Sequence, residues 1–338
     1  MKRKICAVLF VSVLAATLMI GCGNTATSES SESSEGGSTE GDELQVAFLT
    51  SNLANENWQT LTDATIRQGG ELGWEVSVTD CAGNPSTQVT QIESAIEAGY
   101  DMIILGPADS NALIDVCGKA VDAGIPVIST DGYFENVSVV VGANEYDDGY
   151  ELGVYAGEWV NENWPDKESL NVNVLSYDWL DVCIERKNGL IDGFEETANA
   201  AVTIVADNSV QTAAEANETS ESVLQADTID VCLSVAGDFL YGFCQAAQNH
   251  GLTQDDVVGF SMDITEQSAL LLQEGGYVKG LMSWGSPDQK AATIIEGCQK
   301  ALDLTELGGS DYEKVFYGLW YVDESNIDDI MTEYGWGE

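Results

Sequence analysis

From Leu44 onward the chain keeps alternating a short apolar run with a longer stretch of helical periodicity. "LQVAFLT" (Leu44 to Thr50) has strand length and precedes a helical stretch from Trp58 to Glu71. "WEVSVT" alternates like a strand, and "NPSTQVTQIESAIEAGY" then offers Pro85 at a helix start with Val89, Ile92 and Ile96 on one face. "DMIILG" and "IPVIST" read as buried strands around a helix from Asn111 to Ala123 that Gly124 stops, and "VSVVVG" adds a strand. A second series follows. Strands are expected at "NVNVLS", "AVTIVA", "IDVCLSV", "DVVGFS" and "YVKGLMSW", with helices over Glu145 to Asn163, Val182 to Ala198, Thr212 to Ala226, Phe239 to His250, Ile264 to Glu274 and Asp288 to Leu302. Strands alternating with helices of this length imply parallel sheets with right-handed crossovers. The two series break near Gly142–Asn144, and about 295 residues exceed what one core usually carries. The expected fold is α/β, two doubly wound parallel-sheet lobes.

The N-terminus has a different character. Lys2, Arg3 and Lys4 precede an apolar core from Ile5 to Ile20, too short and too N-terminal for a membrane span. Met19-Ile20-Gly21-Cys22 resembles the lipobox at which bacterial lipoproteins are cut and acylated, with Met19 in place of the usual leucine. Residues 1–21 are thus expected to be a lipoprotein signal peptide, with Cys22 as the lipidation site. Residues 22–42 are small, polar and acidic, and read as a disordered Ser/Gly/Glu tether. The expected location is extracytoplasmic, anchored by lipid to the outer face of the bacterial cell membrane.

Of the twelve Lys and Arg, nine remain once Lys2, Arg3 and Lys4 are set aside; against 57 Asp and Glu they leave a formal charge of −48. Such a field repels nucleic acid and anionic lipid headgroups. The six cysteines beyond Cys6 and Cys22 form no CxxC, and His250 is the sole histidine, so no metal site and no cofactor are implied. Cysteines in apolar runs, such as Val231-Cys232-Leu233, read as buried thiols. Abundant acids could supply a pair for glycoside hydrolysis, but here pairs arise by chance, and His250 sits at a helix end away from the strand tips. The chain is read as not an enzyme.

In open parallel sheets ligands bind beyond the carboxyl ends of the strands. Those tips carry "SNLANENW", Gly106-Pro107, "DGYF", "YDW", Gly237-Asp238, "MD" and Trp284. Aromatics, amides and acids suit a sugar, which has weakly apolar faces and a rim of hydroxyls. One carboxylate can accept from two adjacent hydroxyls in a charge-assisted geometry.

With "VAFLTSNLANENWQTL", "AGYDMIILGPADSNAL", "AVDAGIPVISTDG", "GANEYDDGYELG", "ERKNGLIDGF" and "GSPDQKAA" in this order, the chain resembles the type I periplasmic binding proteins. The resemblance is to the ribose/galactose-type sugar-binding lipoproteins of ABC importers and covers nearly everything from Leu44 onward. It implies two lobes joined by three chain crossings, near Ala143-Asn144, Ser283-Trp284 and Tyr317 to Trp320. The lobes become 43–143 with 285–319, and 144–284 with 320–338. They close on a ligand by a hinge, and the closed form docks on a permease.

Carried over residue by residue, ligand contacts fall on Asn55, on Asn57 and Trp58 in place of two phenylalanines, and on Asp131. Gly132 stands where the ribose binders have an arginine, and Tyr133 or Phe134 fills the space. The "RxxG" of the second lobe puts Arg186 on the ligand, able to pair with an acid such as Asp131 on closure; Lys187 is read as a surface residue. Gly237 stands where the family has a ligand-binding asparagine; Asp238 after it is carried over as a contact, and could equally cap a helix. Asp263 is favoured over Ser261, and Trp284 or Gly285 replaces a glutamine. The partners implied are a small sugar, an ABC permease and the membrane through Cys22, with a monomer expected. The competing reading is the same fold binding a nucleoside, polyol or signalling molecule, or serving a membrane sensor.

Overall fold

The apolar runs become the strands of two six-stranded sheets. A computed structural model describes residues 43–337, apart from the side chains of Glu56 and Asn57. The signal peptide, Cys22 and the tether therefore lie outside the described residues.

The first sheet takes β1 (Leu44–Thr50), β2 (Trp74–Asp80), β3 (Met102–Leu105), β4 (Val127–Thr130) and β5 (Val139–Gly142). The second takes β6 (Ser169–Ser176), β7 (Ala201–Ser209), β8 (Val231–Ser234), β9 (Val258–Ser261) and β10 (Val278–Ser283). Two short strands that the sequence pattern did not reveal complete them, β11 (Glu313–Phe316) in the first and β12 (Trp320–Val322) in the second. The orders are β11-β5-β4-β3-β1-β2 and β12-β10-β9-β8-β6-β7, so the two sheets repeat one topology. Every pairing is parallel except β12 on β10. The chain passes between sheets three times, after β5, after β10 and between β11 and β12.

The helices are α1 (Glu56–Glu71), α2 (Pro85–Ala98), α3 (Ser110–Asp122), α4 (Glu145–Asn163), α5 (Asp181–Thr197), α6 (Ala213–Ala226), α7 (Gly237–Asn249), α8 (Glu266–Gln273), α9 (Pro287–Leu302) and α10 (Ile327–Tyr334). Helices on both faces explain why the central strands carry no polar alternation: Ile103, Ile104 and Leu105, like Val231, Cys232 and Leu233, are fully buried. All six described cysteines are free and buried. Burial pushes the Cys117 and Cys244 thiols up to about 12, which keeps them protonated and unreactive.

One helix pair packs more tightly than the rest. Gly149, Gly153 and Gly157 of α4 face Gly189 and Gly193 of α5, and the backbones touch where side chains would normally stand. A methyl group on Gly189 would lie 2.0 Å from the Tyr146 carbonyl oxygen, and one on Gly149 would lie 2.2 Å from that of Arg186. The seam runs from the chain's first crossing into the second sheet's helical layer, and it brings the first residue of α4 against the middle of α5.

Candidate functional site

That first residue is Glu145, and it meets Arg186. Arg186 Nε donates to Glu145 Oε2 at 2.7 Å and Nη1 to the Val235 carbonyl at 3.0 Å. The guanidinium carbon stacks 4.4 Å from the Trp284 ring centroid. Arg186 is 8% exposed. Burial alone would push its pKa down, but the charge and hydrogen bond of Glu145 outweigh that and hold it above its usual value. The paired acid is therefore Glu145 from the first crossing; sequence reasoning had offered Asp131.

Trp284 sits at the second crossing, 7% exposed, and its indole Nε1 donates to Asp148 Oδ2 at 2.8 Å. One face carries Arg186, and Lys290 Nζ lies 5.9 Å from the ring centroid. Asp148 also accepts from the Asn144 amide, and burial raises its carboxyl above the usual range despite the Trp284 bond.

Asp131 directly follows β4 with φ 56, in the left-handed region that an Asp tolerates better than most residues. Its amide donates to Val141 O, and its Oδ2 accepts from Tyr317 Oη at the third crossing, 3.3 Å away. Asp131 as a residue is exposed, yet enough protein surrounds its carboxyl to desolvate it. Burial pushes its pKa up to about 6, opposed chiefly by the charge of Lys290. Gly132 follows because nothing larger fits: a Cβ there would lie 2.4 Å from Pro107 and 2.8 Å from Ser129 Oγ. Tyr133 is half-buried and donates its hydroxyl to the Ala143 carbonyl, so it spans from the β4 tip to the first crossing. Burial, reinforced by the Asp131 charge, raises its pKa.

Asp263 follows β9 with the same φ of 56, exposed and close enough to Arg186 to reinforce its charge. Its carbonyl accepts from the Gly237 amide at 2.9 Å, which packs the β8 and β9 tips together. A Cβ at Gly237 would lie 2.5 Å from that carbonyl. Asp238 is exposed in the first turn of α7, whose N-cap is Ala236, so it is not the cap. Asn55 immediately precedes α1, exposed, and Trp58 packs on the core with its ring over Gly106. The Asn57 side chain lies outside the described residues.

Lys187 corrects the sequence reading. It is 8% exposed, not a surface residue, and its Nζ reaches Asp178 at 3.0 Å and Asp207 at 3.1 Å. Asp178 lies just beyond β6 and Asp207 near the end of β7, so Lys187 faces the sheet's edge and not open solvent. A groove of about 670 Å³ lies elsewhere, between β1, β2 and α2, lined by residues such as Ala47, Ser77, Thr90 and Ser94. It contains no ionisable carboxylate or cation and none of the site residues named above.

The residues brought together are thus Asp131, Tyr133, Glu145, Asp148, Arg186, Asp263, Trp284, Lys290 and Tyr317, all near the chain crossings. They offer acceptors and donors for hydroxyls but no nucleophile–base pair. Among the described residues no helix is long and apolar enough to cross a membrane.

Comparison with known proteins gives this geometry a context. A family model described as "periplasmic binding protein domain" matches residues 46–299. The D-xylose-binding periplasmic protein of Escherichia coli K12 is 29% identical over 97 residues, 29% of this chain and 29% of that protein. The D-ribose/D-allose-binding protein of Pseudomonas aeruginosa is 32% identical over 95 residues, 27% of this chain and 30% of that one. The alignments thus span about three-tenths of those curated relatives' length. An ABC transporter periplasmic solute binding protein from Actinobacillus succinogenes, solved with D-allose, superposes with a TM-score of 0.68 at 21% identity, covering 85% of this chain and 100% of that one. At that identity the likeness is one of fold.

Proposed function

We propose that this chain, which belongs to the periplasmic binding protein domain family, captures a small carbohydrate between two closing lobes and delivers it to an ABC transporter permease. The observation that carries the reading is the convergence of Asp131 from one sheet with Asp263 and Arg186 from the other, beside all three chain crossings. Two carboxylates accept from hydroxyls and a guanidinium donates to them, which is what a polyhydroxylated ring requires. Curated relatives named for D-xylose and D-ribose/D-allose support the same class.

In this reading the lobes are 43–143 with 285–319 and 144–284 with 320–338, the pivot being the three crossings. The protein changes shape around its cargo and breaks no bond in it. The signal sequence would direct export and be removed, and the lipid on Cys22 with the tether would hold the protein on the outer face of the cell membrane within reach of the permease.

A thermal-shift screen with monosaccharides, polyols, oligosaccharides and nucleosides tests the class. A ligand at a hundred times its Kd adds about 2.7 kcal/mol of stability. At least one monosaccharide is expected to raise Tm; stabilisation by a nucleoside alone, with every carbohydrate silent, refutes the sugar reading.

A further inference from the structure

Cations are scarce in this chain, and seven of the nine described ones pair with a carboxylate: Arg67, Lys119, Lys167, Arg186, Lys187, Lys279 and Lys300. Lys290 and Lys314 do not. Lys314 is exposed, where water serves it. Lys290 is half-buried in α9, and its ammonium makes no hydrogen bond or ion pair among the described residues. In a protein with 57 acids, a partly desolvated ammonium without a carboxylate contact stands apart.

Its surroundings indicate a use. Nζ lies 5.9 Å from the Trp284 ring centroid and 5.7 Å from that of Tyr317. Those distances are at the outer edge of cation–π attraction, so the rings hold the ammonium weakly. Trp284 carries Arg186 on its ring and Tyr317 donates to Asp131, so Lys290 stands among the charged groups of the cleft. Its charge is the strongest influence opposing the burial of Asp131. Its backbone is fixed, because Pro287 opens α9 and Ser286 with Gln289 forms a capping box one turn ahead. Only the flexible four-carbon stem moves.

We propose that Lys290 contacts the ligand, donating to a hydroxyl oxygen whose own proton is accepted by Asp131. This rests on the capture reading above and adds a residue that sets specificity. One hydroxyl then donates to a carboxylate and accepts from an ammonium, an arrangement in which each hydrogen bond polarises the other. With Arg186 opposite, a cation from each side of the cleft reaches the same solute. The pairing favours a free hydroxyl at that position, because an ether or deoxy carbon cannot donate to Asp131.

The test uses purified full-length protein, with D-ribose, D-xylose, D-allose, D-galactose and myo-inositol as probes. The probe that wild type binds best by isothermal titration is then titrated into Lys290→Met, Lys290→Arg and Lys300→Met. Lys290→Met is expected to lose at least tenfold in affinity while its unliganded Tm stays close to wild type. Lys290→Arg should recover part of that loss, and Lys300→Met, at the far end of the same helix, should bind like wild type. A Lys290→Met affinity within twofold of wild type overturns the assignment and leaves the capture reading standing. A wild type that binds none of the probes overturns both. Independently of any ligand, the Asp131 carboxyl followed by NMR should titrate higher in Lys290→Met; an unmoved titration removes Lys290 from the side of Asp131.

Discussion

Replacing Arg186 by methionine separates its structural from its ligand-facing role. The side chains of Arg186 and Glu145 are 10% and 14% exposed. Removing one member of a buried pair leaves the other charge uncompensated, at a typical cost of 3–5 kcal/mol. Glu145 keeps some contact with water, so the lower end applies, about 3 kcal/mol, with the Val235 carbonyl's lost donor included in it. At about 2.1 cal/mol/K of unfolding entropy per residue over some 295 folded residues, that corresponds to roughly 5 °C in Tm. Arg186→Met with Glu145→Gln removes the stranded charge and should recover about 2 kcal/mol, a coupling that a double-mutant cycle reads directly. Equilibrium urea unfolding of the four proteins at neutral pH supplies the energies. Additive losses, or an Arg186→Met cost under about 1 kcal/mol, would refute the claim that Glu145 is the partner of Arg186. Arg186 Nη2 makes no hydrogen bond among the described residues, so ligand affinity should also fall at least tenfold in Arg186→Met. Glu145→Gln, which keeps a hydrogen-bond acceptor at Nε, should lose less.

Further outcomes follow from the same geometry. Gly189→Ala places a methyl 2.0 Å from the Tyr146 carbonyl, so the α4–α5 seam must open; overpacking of this kind costs about 1–3 kcal/mol, and an unchanged Tm would refute the backbone contact. Asp131 has a folded pKa near 6, raised by burial above an unfolded value of about 3.9. The folded state then binds more protons between those values, so this group lowers stability as pH rises through that window. Asp131→Asn should flatten that slope in melts from pH 4 to 7, and parallel curves for the two proteins would contradict it. Sugar affinity should weaken below about pH 6 as the acceptor is lost. Trp284→Phe removes the Nε1 donor to Asp148 and should cost about 1.5–3 kcal/mol in urea unfolding, with a Tm within a degree of wild type counting against it.

The fold was legible because its signal is local. Short runs such as "MIIL" (Met102 to Leu105) are apolar at every position since helices cover both faces of the sheet, and helix starts are marked by residues such as Pro85. β11 and β12 escaped because they are short edge strands, and Glu313, Lys314 and Phe316 are exposed. Asp131 was singled out by its strand tip together with the resemblance to the sugar-binding family, and Arg186 by the "RxxG" of that resemblance. The partner of Arg186 was not, because Glu145 sits in a stretch where one acid looks like another. The signal that could have singled out Glu145 was the four-residue spacing of Gly149, Gly153 and Gly157 with that of Gly189 and Gly193. Two such stripes predict touching helices, and touching helices fix which acid meets Arg186. Lys187 was misjudged because its partners, Asp178 and Asp207, lie outside α5 and meet it only through the packing of α5 on the second sheet.

The glycine seam also has a mechanical meaning. Because α4 and α5 touch through their backbones, they can neither slide nor splay without breaking contact along their length. Glu145 and Arg186 therefore travel as one rigid piece, and a rotation between the lobes leaves their ion pair intact. In the proposed closure the flexing would fall just before α4, at Ala143 and Asn144, where the Tyr133 hydroxyl donates to the Ala143 carbonyl. If the lobes close as proposed, what changes is the gap between that piece and Asp131. The seam acts as the stiff arm of a lever whose short end carries the guanidinium, so a small turn at the pivot becomes a definite displacement of charge at the cargo.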